Sequence, residues 1–195
     1  QPRMALGFSV MALFKIIGEE STLKEFARLS KTLKPKDFEK RGAALSEKIK
    51  GFIPVIYSSD ANRALACNWK IKFNETGKIP AFYNIFPELN HNEMTGFSAL
   101  GEATEIPAPN KLFRFIFLRD NADHPQIIKR MDVTEKLYKK QDLTVESINI
   151  SHKNLFFKVF STLLLADWTA YYTAKAYGNE PELVPMVEDF KKMMR

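Results

Sequence analysis

Apolar positions along the chain follow two different periods, and the change between them divides it. Over residues 4–50 they recur every three to four positions, which predicts helices over 4–17, 22–33 and, after a turn at Lys34-Pro35, 36–48. Thr22 followed by Glu25 has the form of a capping box for the second of these. From Gly51 onward short apolar runs alternate with helical stretches. Strands are predicted over 53–57, 79–86, 113–118 and 144–150, and helices over 61–74, 125–140, 153–177 and 183–194. Strand and helix in succession imply an α/β fold with a mainly parallel sheet flanked by helices on both faces, preceded by a helical lead-in. Ligands in such sheets sit outside the carboxyl ends of the strands, where Ser58, Ser59 and the residues after Phe86 are expected. No internal repeat or low-complexity tract interrupts the pattern, and 102–111, with Pro107 and Pro109, reads as a loop within the sheet. The expected organisation is a lead-in, 1–50, packed on one domain, 51–195.

Composition narrows the function classes. With 195 residues and 45% hydrophobic content the chain can bury a sizeable core. The single cysteine, Cys67, lies among Ala64, Leu65, Ala66 and Trp69, so it reads as a buried, inert thiol in a reducing, cytoplasmic setting. The longest apolar runs, 11–17 and 159–166, are cut short by charges and fall well below the ~20 residues that span a bilayer. The net charge of +6 is interleaved with acids, as in Lys34-Pro35-Lys36-Asp37-Phe38-Glu39-Lys40-Arg41, which reads as a solvated face. Neither a membrane nor a nucleic-acid partner is expected, although spread positive charge attracts anionic substrates. The chain opens Gln1-Pro2-Arg3 without a methionine and enters a helix almost at once, as an excerpt of something longer, or a processed chain, would.

Candidate chemistry is sparse. His91, His124 and His152 are scattered, Cys67 has no neighbouring ligand, and neither a Walker pattern nor GxGxxG occurs, so no metal or cofactor is expected. Glu75, in Asn74-Glu75-Thr76-Gly77-Lys78, and His91, in Pro87-Glu88-Leu89-Asn90-His91-Asn92-Glu93, remain as a general base and a proton shuttle. They flank one short predicted strand, which keeps them apart within a chain. Acting on one substrate would then require the second group to come from another subunit. Such residues are more often a solvated carboxylate and a structural imidazole, and spacing alone does not decide between the readings. Asp167, beside Trp168 on a helix rich in Leu163, Leu164, Leu165, Tyr171 and Tyr172, reads as a core residue with its carboxylate satisfied internally.

Several of these segments, in order, resemble the carboxyl-terminal half of the bifunctional phosphoglucose/phosphomannose isomerase family, built from two sugar isomerase (SIS) domains. The matching pieces are Pro2-Arg3-Met4-Ala5-Leu6-Gly7-Phe8, Pro54-Val55-Ile56-Tyr57, Trp69-Lys70 through Asn74-Glu75 and Lys78, Pro87 to Glu93, Gly96-Phe97, and Leu165-Ala166-Asp167-Trp168-Thr169. The resemblance implies an SIS-type three-layer sandwich and isomerisation of glucose or mannose 6-phosphate to fructose 6-phosphate through an enediol. It further implies Glu75 as the base between C2 and C1, His91 as the ring-opening residue, Arg3 as the cation on the enediolate, and Lys191 or the adjacent Lys192 near the ring oxygen. It implies a homodimer whose histidine is contributed by the partner subunit. Two departures stand against it: Val184 and Pro185 occupy the region of a family threonine, and the first SIS domain, with the loop that grips the phosphate, lies outside these residues. A non-catalytic sugar-phosphate-binding module and a structural dimerisation fragment are the alternative readings.

Overall fold

The computed structural model describes residues 2–98 and 109–194. Four strands, β1 (Ile53–Ser59), β2 (Phe82–Phe86), β3 (Phe113–Arg119) and β4 (Val145–Asn149), form one sheet in the order β2-β1-β3-β4. All three pairings are parallel, with Val55 opposite both Phe82 and Phe115 and Phe115 opposite Val145. Alternation along the inner strands sorts side chains to two buried faces. Ile56, Ile116 and Leu118 join one core with Trp69, Phe73 and Leu163, while Val55, Tyr57, Phe115 and Phe117 join the other with Phe86, Met131 and Tyr138. Burial on both faces requires a helical layer on each side, as in other parallel sheets.

One layer consists of α3 (Lys36–Ile49), α4 (Arg63–Lys72) and the long α6 (Leu155–Ala176); the other is α5 (Pro125–Lys140) with the short turns after β2. Two earlier helices, α1 (Leu6–Ile16) and α2 (Glu20–Thr32), meet α6 through edge-on contacts of Phe14 and Phe26 with Phe156, and of Phe26 with Phe160. A last helix, α7 (Pro185–Met193), buries none of its residues. No helix among the described residues is long and apolar enough to cross a membrane.

Three predicted boundaries are corrected. The helix read as 22–33 begins at Glu20 with no side-chain cap, so Thr22 lies inside the first turn. The helix read as 61–74 is a 3-10 turn, α4, and then a wider π-turn, Phe73–Gly77. The strand read as starting at 79 starts at Phe82, because Ile79 N–H closes back on the Phe73 carbonyl at 3.3 Å and its own carbonyl accepts from Asn74 Nδ2 at 3.0 Å. Pro80 then has no N–H to give a ladder. Most of the expected loop at 102–111 lies outside the described residues. Cys67, expected buried, is half-buried.

Within the first layer, α3 and α6 approach closely at Gly42 of α3. A methyl group there would lie 2.4 Å from Trp168 Cβ and 2.9 Å from the Trp168 carbonyl carbon, so α3 and α6 can touch only because the side chain is absent. Gly42→Ala is expected to push the helices apart and cost about 1–3 kcal/mol, the usual range for overpacking, despite the better helix propensity of alanine. Urea unfolding of the two chains, compared at constant m-value, measures it.

Candidate active site

The site is assembled at the end of α4, where the π-turn lifts Glu75 away from the core: its side chain is 47% exposed, whereas Phe73, Thr76 and Gly77 around it are buried. Arg3, in a 3-10 turn over Pro2–Met4, comes from the other end of the chain to meet it. Its side chain is only 8% exposed, and Nη1 lies 3.7 Å from Glu75 Oε2. Nε donates to Thr76 Oγ1 at 3.1 Å, and Nη2 donates to the carbonyls of Pro181 and Glu182 at 2.8 and 3.0 Å. A buried, multiply held guanidinium beside a half-exposed carboxylate is a fixed positive potential next to a base that a substrate can reach.

Beneath this pair, Lys72 donates to the Arg3 carbonyl at 2.7 Å and ion-pairs with Asp167 at 2.6 Å. Burial raises the pKa of Asp167, with Lys72 and Arg3 acting in the opposite direction. Asp167 is thus paired with a buried ammonium that also holds the backbone of Arg3; its Oδ1, expected to be satisfied by a hydrogen bond, has that ion pair and no hydrogen-bond partner. Lys78 closes the turn in a left-handed conformation, φ 60°. Its ammonium donates to the carbonyls of Glu75 and Leu183, and burial, with Arg3 adding to it, lowers its pKa.

His91 is at the other end of β2. Five residues of strand at about 3.3 Å each separate the two ends by roughly 16 Å before the turns are added. The imidazole is exposed, but its neighbours are anchored: Leu89 is fully buried and Asn90 Nδ2 donates to Thr134 Oγ1 at 2.9 Å. Glu93 accepts from Tyr57 OH at 2.6 Å and from Asn84 Nδ2. Tyr57 lies within 3.3 Å of Tyr138 OH, and burial raises both phenols, that of Tyr138 to about 12. Lys191 is on the exposed α7, paired with Glu188 at 2.8 Å, and Lys192 is paired with Asp189 at 3.0 Å. The structure therefore brings Arg3 and Glu75 together, sets His91 apart, and leaves Lys191 on a solvent-facing helix.

The crevice expected at the carboxyl ends of the strands is occupied by the chain itself. The connections leaving β1 and β3 run in opposite directions here, from β1 toward β2 and from β3 toward β4, and such a switch point is where folds of this kind usually bind ligands. Ser59 Oγ donates to Asp123 Oδ1 at 2.6 Å, Asn62 Nδ2 reaches both Ser59 Oγ and Asp123, and Lys158 donates to Asp120 Oδ2 at 2.8 Å. Asp123 Oδ2 is buried with no partner. Burial holds the Asp123 pKa up. At Asp120 burial acts the same way but is overcome by Lys158 and the Ala122 N–H, which hold its pKa down. Sequence reasoning found Ser59 but missed Asp120, Asp123 and Lys158, as well as Lys72, Thr76 and Lys78. Only Lys78 carried a local signal, its place after Gly77 at the end of the helix.

A model of the bacterial phospho-glucose isomerase C-terminal SIS domain matches residues 38–194. The chain belongs to this family. The chain is 29% identical over 197 residues to a bifunctional phosphoglucose/phosphomannose isomerase of Aquifex aeolicus, covering 100% of the chain and 59% of that protein. It is 32% identical over 209 residues to a protein of the same description from Caldicellulosiruptor bescii, covering 100% and 60%. The chain thus spans about three-fifths of the length of these relatives. Among solved structures it superposes on a glucose-6-phosphate isomerase like protein from Thermus thermophilus with TM-score 0.63 at 16% identity, covering 92% of the chain and 58% of that one. It also matches a glucosamine-6-phosphate deaminase from Thermotoga maritima with TM-score 0.58 at 13% identity, covering 91% and 53%. At such identities these likenesses show the fold, a parallel sheet between helical layers.

The half-satisfied carboxylate of Asp123 gives a pH-dependent expectation. An acid whose pKa is raised by folding binds more protons folded than unfolded, so its contribution to stability falls as pH rises through the folded value. Asp123→Asn keeps the shape and removes the charge. It is expected to raise the thermal midpoint at pH 7, with the gain shrinking toward zero as pH falls into the ordinary carboxylate range, read from melting curves between pH 3.5 and 8.

Proposed function

We propose that this chain supplies the base-bearing half of an aldose-ketose isomerase acting on sugar 6-phosphates, glucose or mannose 6-phosphate to fructose 6-phosphate. The observation that carries the proposal is the Arg3–Glu75 pair, an open carboxylate 3.7 Å from a buried, immobilised cation. Isomerisation needs just these two elements. In the open-chain aldose, Glu75 removes the C2 proton, the C1–C2 double bond forms, and the aldehyde oxygen becomes an enediolate oxyanion beside Arg3. The hydroxyl proton at C2 passes to the O1 oxyanion, the same carboxyl returns its proton to C1, and the ketone forms at C2 beside a neutral hydroxyl at C1. A guanidinium held by Thr76 and two backbone carbonyls needs no rearrangement when that charge appears.

His91 serves ring opening from the partner subunit of a homodimer with shared sites. Its exposure on an anchored turn at the far end of β2 supports this reading, since a residue meant for its own chain's Glu75 would be poorly placed there. Lys191 assists near the ring oxygen. The grip on the phosphate comes from outside this chain, in keeping with relatives that are longer by about two-fifths of their length and with a crevice already occupied by carboxylates that repel phosphate.

Conversion of fructose 6-phosphate to glucose and mannose 6-phosphates should be measured with the chain alone and with the segment that precedes it in its parent sequence. Glu75→Gln is expected to lower turnover about 10²–10⁴-fold, the usual contribution of a general base, while sugar-phosphate binding survives. Turnover unchanged by this substitution would overturn Glu75 as the base, and binding without turnover in the restored pair would leave only a binding module. The shared site is tested by mixing two inactive chains, Glu75→Gln and His91→Ala. Random pairing makes half the dimers mixed, each with one intact site of two, so roughly a quarter of full activity returns. Sites built within single chains return none.

A further inference from the structure

The connection into α7 is held in an unusual way. Its three successive carbonyls at Pro181, Glu182 and Leu183 are bound by two cations: Arg3 takes the first two and Lys78 the third. Both cations also contact Glu75, Arg3 at its carboxylate and Lys78 at its carbonyl. α7 starts two residues beyond Leu183 and buries none of its side chains, and Lys191 lies near its far end. Its orientation is therefore set at its root, where these bonds are made. The backbone of Lys78 points the same way. With φ 60° and ψ 29° it occupies the left-handed region where glycine is the inexpensive choice, and Gly77 immediately precedes it. A side chain kept in that conformation signals that the side chain itself is required.

We propose that Lys78 is a positioning residue, a latch that fixes the root of α7, and with it Lys191, against the turn that carries Glu75. The part of this inference that concerns turnover rests on the isomerase reading; the latch itself does not. Lys78 touches no reacting atom in this scheme. It acts by joining two pieces of the site that lie about a hundred positions apart in the chain.

Glycine at this position removes the backbone strain and the latch together, so the two roles separate. For Lys78→Gly the thermal midpoint is expected to hold or rise, while chymotryptic cleavage after Phe190, followed by mass spectrometry, accelerates about tenfold, the effect of losing one charge-assisted hydrogen bond. Lys78→Asn, which tolerates left-handed backbone but is too short to reach Leu183, should behave alike and separates the lost ammonium from the flexibility of glycine. In the active assembly kcat should fall by a similar factor. Cleavage unchanged in both variants overturns the latch, as does a fall in both midpoints without faster cleavage, which marks an ordinary structural lysine. Faster cleavage with unchanged kcat overturns the link to the reaction. Cleavage and melting need no turnover, so a wild-type chain without isomerase activity would refute the function and leave the latch to be judged on those two readings.

Discussion

Lys72 and Asp167 meet 2.6 Å apart between α4 and α6, with side chains 5% and 14% exposed. Either charge alone in that position would cost several kcal/mol, so each requires the other. Together they tie the end of α4 to the middle of α6, and the π-turn that exposes Glu75 follows directly from that point. The same ammonium donates to the backbone of Arg3. One buried pair thus sets the position of the carboxylate, of the cation beside it and of the helix packed below. The close contact of Gly42 with Trp168 acts on the neighbouring residue of α6 and holds that helix from its other side.

The sheet leaves this arrangement at its margin. β2 is an edge strand, with Phe82 exposed, and Glu75 and His91 lie before and after it rather than over the centre of the sheet. The centre is taken by Ser59, Asn62, Asp120, Asp123 and Lys158, which satisfy one another almost completely. A parallel sheet brings strand ends and helix starts together at one edge and so favours a ligand there. Filling that place with paired side chains moves the available chemistry to the flank of the fold, where two segments distant in sequence can reach it.

How much of this was legible in the chain depends on the range of the interactions involved. The strands Ile53–Ser59 and Phe113–Arg119 are runs of apolar and aromatic residues with both faces buried, so local composition announces them. The separation of Glu75 from His91 follows from the strand between them and was readable for the same reason. The start of β2 was not, because the hydrogen bonds that keep Ile79 out of the ladder depend on a π-turn that no residue pattern marks. Arg3 could be tied to Glu75 only through family resemblance, as its partners lie 73, 178 and 179 positions away. Asp120, Asp123 and Lys158 look like surface charges in sequence, and only the crossing of β1, β3 and α6 brings them inside.

The contacts of Arg3 also bring the start of the described chain beside the segment that leads into α7: residue 3 and residue 181 are one hydrogen bond apart, and Arg3 borders Glu75. Residues 3–181 are close to a closed loop with the carboxylate beside its seam. Any segment joined ahead of Pro2 emerges at that seam, and a short tether of this kind holds its cargo at an effective concentration on the order of millimolar. An upstream domain would then need little intrinsic affinity to stay over the carboxylate, and its contact surface could be shaped for the substrate instead of for adhesion.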